Sequence, residues 1–187
     1  RGICNRVASK NQAEKNGRRK SDFEFGTSPC SEIILRPNQF CNLSEVVVRS
    51  TDTVETLKEK VRLATILGTI QSTYTNFPYL RKVWTTNTEA ERLLGVSLTG
   101  IMDNQILNGR SAQYGKNIGK ILEQLKEVAI ETNKEWADKF GISASTAITC
   151  IKPSGTVSQL VDSASGIHPR HSDYYIRTVR GDNKDPL

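Results

Sequence analysis

The sequence predicts an α/β fold whose strands pair in parallel. Short runs of β-branched and apolar residues alternate with longer segments in which apolar residues recur every three or four positions. The short runs are typical of buried strands and the longer segments of amphipathic helices. Their alternation favours strand–helix–strand units. Because no linker or repeat divides the 187 residues, we expect one domain over 1–187.

The first half of the chain predicts two strands and two helices. Residues 1–25 predict a polar helix and a loop, and residues 26–29 a turn. Strands follow at 33–35 and 43–48, both rich in apolar residues. A helix is predicted to begin at Asp52, with Glu55 completing a capping box, and to end before Pro78. Its predicted buried stripe consists of Val54, Leu57, Val61, Ala64, Leu67 and Ile70.

The second half continues the alternation. It predicts a short helix over 89–94, a strand over 96–101 and a long helix from about 111 to 140. Gly141 follows the long helix where a C-terminal capping glycine is expected. The predicted stripe of that helix is Ile118, Ile121, Leu125, Val128, Thr132 and Trp136. Further strands are predicted over 146–151 and 174–179.

The net charge of +6 is concentrated at the start of the chain. Residues 1–20 contain seven basic side chains, beginning with Arg1, but one acidic side chain and no aromatic. We interpret this run as a solvated helical face, with attraction of polyphosphate substrates as the alternative. A nucleic-acid-binding module would interleave aromatic residues with basic ones, so that class is disfavoured. Since the chain starts at Arg1 and its single methionine is Met102, we expect it to be part of a longer protein.

The four cysteines, Cys4, Cys30, Cys41 and Cys150, form no C-x-x-C pair. This spacing argues against a zinc ribbon and against a thioredoxin-like redox protein. No secretory signal and no apolar stretch long enough to cross a membrane are visible, so we expect a cytoplasmic, reducing environment without stable disulfides. No metal site is predicted, because the two histidines, His168 and His171, have no further ligand close in sequence.

The segment from Thr27 to Leu43 carries the strongest chemical signal. Cys30 and Glu32 are two residues apart, and in an extended segment such residues point to the same side. A thiol can act as a nucleophile or a hydrogen-atom carrier, while a carboxylate can move protons. Cys41 follows eleven residues after Cys30 and would return to the same site if the chain folds back. The alternative is that both cysteines are core residues and that Glu32 is solvated.

A second candidate site is the run Lys152-Pro153-Ser154-Gly155-Thr156, which lies between a predicted strand and a predicted helix. Glycine lets the backbone approach a phosphate, and the N–H groups at a helix start favour anions. The run lacks the pattern of a Walker A loop. It predicts either a phosphate-binding segment or an ordinary strand-to-helix turn.

Several of these motifs together resemble ribonucleotide reductases. Pro29-Cys30-Ser31-Glu32 followed by Phe40-Cys41-Asn42-Leu43 is similar to their active-site segment. The cysteine spacing resembles the monomeric, adenosylcobalamin-dependent branch that reduces ribonucleoside triphosphates. Three more runs are similar to that branch, namely Glu91–Asp103, Ile151–Ser158 and Gly166–Arg170. The resemblance covers nearly all of the chain and is loosest over 1–25.

The resemblance implies a role for each site residue. Cys30 would become the thiyl radical that removes the 3′ hydrogen of the ribose, and Glu32 would act as general base on the 3′ hydroxyl. Cys41 would be one of two reducing thiols, with its partner upstream of this chain. Cys4 and Cys150 do not match that partner position, and we interpret both as structural. Substrate would contact Thr27 and Ser28, and its phosphates the backbone at Pro153, Ser154, Gly155, Thr156 and Val157.

The resemblance also implies a fold, a cofactor and partners. The fold would be part of the α/β barrel of ribonucleotide reductases and glycyl-radical enzymes, with 1–187 inside a single catalytic barrel domain. Adenosylcobalamin would start the reaction, with His168 and Arg170 as the residues expected near it. The main cobalamin-binding segments would lie beyond Leu187, and the region for a deoxynucleotide effector upstream of Arg1.

The same resemblance implies a thioredoxin-type or dithiol reductant, Mg²⁺ bound with the nucleotide, and no specific nucleic acid. The nearest alternative is a reductase whose radical comes from a separate metal-containing subunit. The spacing of Cys30 and Cys41 and the run from Leu94 to Asp103 argue against that alternative.

One position departs from the resemblance. The family usually has Asn two residues before the radical cysteine, and this chain has Ser28. A hydroxyl is shorter than an amide and lacks its separate donor and acceptor ends. The hypothesis from sequence is therefore that Ser28 weakens the positioning of the substrate without abolishing the chemistry.

Overall fold

The computed structural model describes residues 3–111 and 113–185. The elements in chain order are α1 (Arg6–Glu14), β1 (Gly26–Thr27), β2 (Ile34–Leu35), β3 (Asn42–Val47), α2 (Val54–Gln71), α3 (Lys82–Glu91), β4 (Leu94–Thr99), α4 (Ile118–Phe140) and α5 (Thr156–Leu160). Short helical turns also occur at Lys15–Gly17, Ile101–Asp103 and Gly115–Asn117.

Strand β4 lies at the centre of a small parallel arrangement. It pairs in parallel with β3, in a register that runs from Asn42 opposite Leu94 to Val47 opposite Thr99. On its other side, Val96 forms a parallel bridge with Thr149. The predicted α/β class with parallel pairing is therefore confirmed. The predicted strand over 146–151 is reduced to this bridge and its flanking hydrogen bonds, and β1 and β2 form an antiparallel hairpin.

Helices α2 and α4 pack against each other and against the sheet. The buried face of α2 contains Leu57 and Val61, as predicted, but then continues through Thr65, Gly68 and Thr69. Leu67, predicted to be buried, is 54% exposed. Gly68 faces the methyl groups of Leu94, where an added Cβ would lie at 3.5 Å, an ordinary packing distance.

Several predicted boundaries were wrong. Helix α2 is capped by Thr53 and Thr56, while Asp52 instead accepts hydrogen bonds from the Arg49 backbone and from Lys60. Helix α3 ends at Glu91, and the following residues enter β4. The predicted start of the long helix at about 111 was also wrong, because α4 begins at Ile118, although Gly141 caps it as predicted. Ala112 lies outside the described residues.

Residues 174–179, predicted as a strand, form no strand and are exposed, because no neighbouring strand pairs with them in the described part of the chain. Among residues 3–111 and 113–185, no helix combines the length and the apolar character needed to cross a lipid bilayer.

The basic run at the start of the chain is not uniformly solvated. Arg6, Lys15, Arg18 and Lys20 are exposed, but Arg19 is buried. The Arg19 guanidinium donates two hydrogen bonds to Glu91, at 2.9 and 2.7 Å. The prediction of a solvated face was therefore wrong for Arg19, since an ion pair distant in sequence draws it inside. Arg1 lies outside the described residues.

Candidate functional site

The hairpin of β1 and β2 presents Cys30 at its exposed tip. The Ser28 backbone N–H donates to Ile33 at 2.9 Å and closes the loop, while the Ser31 N–H donates to Ser28 at 2.9 Å. Ser31 has a φ of 64°, in the left-handed region. The loop is therefore a turn, so the extended geometry that was predicted to place Cys30 and Glu32 on one side was wrong. A hairpin supplies the local rigidity instead.

Ser28 contacts Glu32 directly across this loop. Its hydroxyl donates a hydrogen bond of 2.7 Å to a carboxylate oxygen of Glu32 and accepts one of 3.2 Å from the Ile33 N–H. The hydroxyl thus has a donor and an acceptor role at once, and both are used. A half-buried carboxylate held by a short charge-assisted bond has a fixed direction, which general base catalysis requires.

Cys41 and Cys150 share the space above Gly95. A side chain on Gly95 would lie 3.1 Å from the sulfur of Cys150 and 3.3 Å from that of Cys41. The two sulfur atoms therefore cannot be further apart than the sum of these distances. Glycine at this position leaves the room that both thiols occupy.

Burial and neighbouring charge keep these thiols protonated. Burial raises the pKa of Cys41, and the nearby Cys150 and Glu32 raise it further. Burial, together with the Glu32 charge, raises the pKa of Cys150 to about 11. Both thiols are therefore protonated at neutral pH, and the Glu32 carboxylate lies near enough for its charge to raise the pKa of each. The arrangement brings Glu32, Cys41 and Cys150 into one electrostatic neighbourhood.

Sequence reasoning interpreted Cys150 as structural and did not predict that it lies near Cys41. Cys41 leads into β3 on one side of β4, and Cys150 lies on the other side, where its N–H donates to Val96. Neighbouring strands are about 4.8 Å apart, whereas a disulfide needs Cα atoms within roughly 7 Å. With β4 between them, the two cysteines are neighbours that cannot bond without a backbone shift. No spacing in the sequence signals this proximity, since it depends on the strand order.

The buried carboxylate of Glu91 connects the hairpin to the Cys41 segment. Besides the hydrogen bonds from Arg19, it accepts one of 2.8 Å from Arg36 and one of 2.7 Å from Gln39. Arg19 also donates 2.7 Å to the carbonyl of Ile34 in β2. Since Gln39 lies two residues before Cys41, one buried network fixes both the base of the hairpin and the approach to the thiol.

The segment predicted to bind phosphate follows the edge of the sheet. The Lys152 N–H donates a hydrogen bond of 2.9 Å to the Ser97 hydroxyl. The buried Ser154 hydroxyl accepts a hydrogen bond of 3.2 Å from the Ser158 N–H. Gly155, Thr156 and Val157 are exposed at the start of α5. The first N–H groups of a helix have no acceptor within it, and of these the Ser158 N–H is bonded to Ser154.

The remaining predicted residues have other surroundings. Arg170 forms ion pairs with Asp103 and Asp162, at 3.1 and 2.9 Å. His168 is exposed, and its N–H donates 2.8 Å to Ser165. Cys4 is exposed, so the burial on which its structural interpretation depended is absent. Within 3–111 and 113–185, no group of three or more His, Cys, Asp or Glu residues could hold a metal ion.

Comparison with known proteins gives a consistent set of relatives. No protein-family model matches the chain. The adenosylcobalamin-dependent ribonucleoside-triphosphate reductase of Lactobacillus acidophilus is 29% identical, over 87% of this chain and 24% of the relative. The protein of the same name from Lactobacillus gasseri is 28% identical, over 100% of this chain and 28% of the relative.

A crystal structure of a B-12 dependent (class II) ribonucleotide reductase superposes with a TM-score of 0.64 and 26% identity, over 79% of this chain and 23% of that one. The chain thus spans about a quarter of the length of the relatives it matches. The resemblance predicted from the motifs is confirmed: the chain is homologous to about a quarter of an adenosylcobalamin-dependent ribonucleoside-triphosphate reductase.

Proposed function

We propose that this chain is part of the catalytic domain of an adenosylcobalamin-dependent reductase that converts ribonucleoside triphosphates to deoxyribonucleotides. The observation that carries the proposal is the Cys30 hairpin, with its Ser28–Glu32 hydrogen bond of 2.7 Å beside Cys41. Strands β3 and β4 and the segment around Thr149 would be neighbouring parallel strands of a larger α/β barrel.

Cys30 and Glu32 would perform the first steps on the ribose. When bound, adenosylcobalamin supplies the radical equivalent that converts the Cys30 thiol to a thiyl radical. The β1–β2 hairpin would carry this thiol at its tip. The thiyl radical takes the 3′ hydrogen atom, and Glu32 accepts the 3′ hydroxyl proton while Ser28 holds its carboxylate.

Cys41 would reduce the 2′ position. The 2′ hydroxyl leaves as water, and Cys41 and a second thiol together supply two electrons and two protons as they form a disulfide. Cys30 then returns the hydrogen atom to the 3′ carbon. The second thiol would come from outside this chain, which agrees with the position of Cys150 across β4 from Cys41. A thioredoxin-type or dithiol reductant would reopen the disulfide.

The substrate would lie between the hairpin and the start of α5. Thr27 and Ser28 would contact the nucleoside. The backbone of 153–157 would contact the phosphates with their Mg²⁺, through the N–H groups of the exposed Gly155, Thr156 and Val157. The proximity of His168 and Arg170 to the cofactor stays a prediction, as does a deoxynucleotide effector site outside 1–187.

The test is ribonucleotide reduction by the full-length protein, with a dithiol reductant and with or without adenosylcobalamin. We expect cobalamin-dependent product from the unmodified protein and none from Cys30→Ser or Glu32→Gln. Glu24→Gln is the matched control, since Glu24 is an exposed carboxylate that pairs with the exposed Arg6. Product from Cys30→Ser, or activity that requires a separate metal-containing subunit, would contradict the proposal.

A further inference from the structure

The carboxylate of Asp103 is the point at which three parts of the chain meet. It lies just after β4, where its two oxygens accept hydrogen bonds from Arg170 at 3.1 and 3.2 Å. One of these oxygens also accepts 2.8 Å from the backbone N–H of Ala164. An arginine that donates through two nitrogens to one carboxylate forms a bidentate pair, which fixes orientation as well as distance.

Arg170 extends this contact to a strained turn. It donates a hydrogen bond of 2.9 Å to the side chain of Asp162 and one of 3.2 Å to the Asp162 carbonyl. Arg49 donates a third hydrogen bond, of 2.8 Å, to the same carbonyl. Asp162 has a φ of 47°, a left-handed conformation that costs a non-glycine residue free energy. The hydrogen bonds from the two arginines thus stabilise the left-handed turn at Asp162.

The segment 163–166, which these contacts fix, supports the segment 154–158. Thr99 donates to the carbonyl of Ala164 at 3.1 Å and accepts from the Gly166 N–H at 2.9 Å. Ser165 in turn donates its hydroxyl to the carbonyl of Ser154, and the Ser163 N–H donates 2.9 Å to Ser158. A side chain on Gly166 would lie 2.9 Å from the Lys152 carbonyl, so the two segments are in close contact.

We propose that Asp103 and Arg170 form a clamp that positions the backbone of 154–158 for the phosphates of the substrate. Asp103 is proposed as a positioning residue, since its oxygens accept three hydrogen bonds from within the fold. Arg170 likewise faces carboxylates, so its charge is compensated within the fold. This inference rests on the proposed function, because the ligand of 154–158 is the nucleotide named there.

The test uses the full-length protein with Asp103→Asn and Arg170→Gln, singly and together. For each variant, the KM for a ribonucleoside triphosphate and the inhibition constant of inorganic tripolyphosphate should rise by up to about fivefold, because the Arg170–Asp103 ion pair is half exposed to solvent and such pairs are weak. For Asp103→Asn, the kcat at saturation should stay within about twofold, since binding and not chemistry is changed. The double variant should show no further loss, because both changes break one clamp.

A conservative variant, a matched control and a measurement independent of turnover complete the test. Arg170→Lys should recover part of the loss, and Asp138→Asn, at an exposed carboxylate on α4, should leave all constants unchanged. Amide hydrogen exchange over 154–166 should quicken in the clamp variants and not in the control. Unchanged constants, additive losses, or an equal fall in the kcat of Asp103→Asn would overturn the clamp. An inactive unmodified protein would instead refute the proposed function, while exchange would still report on the clamp.

Discussion

Replacement of Glu91 by glutamine tests how the fold holds Cys41, the proposed reducing thiol. The Glu91 side chain is 2% exposed and accepts four hydrogen bonds of 2.7 to 2.9 Å, two from Arg19 and one each from Arg36 and Gln39. Glutamine has nearly the same shape, but it carries no charge and turns one acceptor into a donor. Glu91→Gln would therefore leave two buried guanidinium groups without a counter-ion.

The magnitude follows from the burial of both partners. The side chains of Arg19 and Arg36 are 4% and 7% exposed, so solvent cannot replace the lost carboxylate. Removal of one partner from a buried ion pair costs about 3–5 kcal/mol of unfolding free energy. Such a loss is a large fraction of the roughly 5–15 kcal/mol that a domain has. It would loosen the segment that leads to Cys41.

The same carboxylate predicts a dependence on pH. Burial alone would raise the pKa of Glu91, but the hydrogen bonds from Arg19 and Gln39 and the charges of Arg19 and Arg36 lower it overall. A lowered pKa in the folded state stabilises the fold above the unfolded pKa, which is about 4.3. This contribution is lost as the pH falls through the folded pKa. The difference between Glu91→Gln and the unmodified protein should therefore shrink below about pH 4.

The assay is urea unfolding of the full-length protein, followed by near-ultraviolet circular dichroism at pH 7 and over a range of acidic pH. Glu135→Gln is the matched control, since Glu135 pairs with Lys139 at the surface of α4 and its loss should change the midpoint far less. Equal midpoints for the two variants, or a Glu91→Gln effect that is independent of pH, would refute the reasoning.

Two further predictions concern the site itself. Ser28→Ala removes the hydroxyl that donates to Glu32 and should lower kcat about tenfold or more. Ser28→Asn should raise turnover if the serine weakens positioning, and an unchanged or lower kcat would show that the hydroxyl already suffices. Gly95→Ala would bring a methyl group within 2.4 Å of Leu43 and should destabilise the protein by about 1–3 kcal/mol in urea unfolding. Gly119→Ala on α4, where the methyl group meets open space, should not destabilise it, and equal losses would contradict the packing argument.

Local sequence patterns determined the class of the fold and part of its elements. The β-branched run over 43–48 and the apolar period before Gly141 were sufficient to predict β3 and α4, because strand and helix periodicity are local properties. They failed where tertiary contacts decide the outcome. Leu67 is exposed because the buried face of α2 runs through Thr65, Gly68 and Thr69, and 174–179 has no strand to pair with in the described structure.

By itself, the sequence predicted the candidate reactive segment, since Cys30, Glu32 and Cys41 lie within one short stretch with a recognisable spacing. Only the tertiary structure decided what surrounds it. Arg19 and Glu91 are 72 residues apart, Arg170 and Asp103 are 67 apart, and Cys150 reaches Cys41 across Gly95. Such contacts depend on which strands become neighbours when the chain buries its apolar surface, and no local pattern encodes that order.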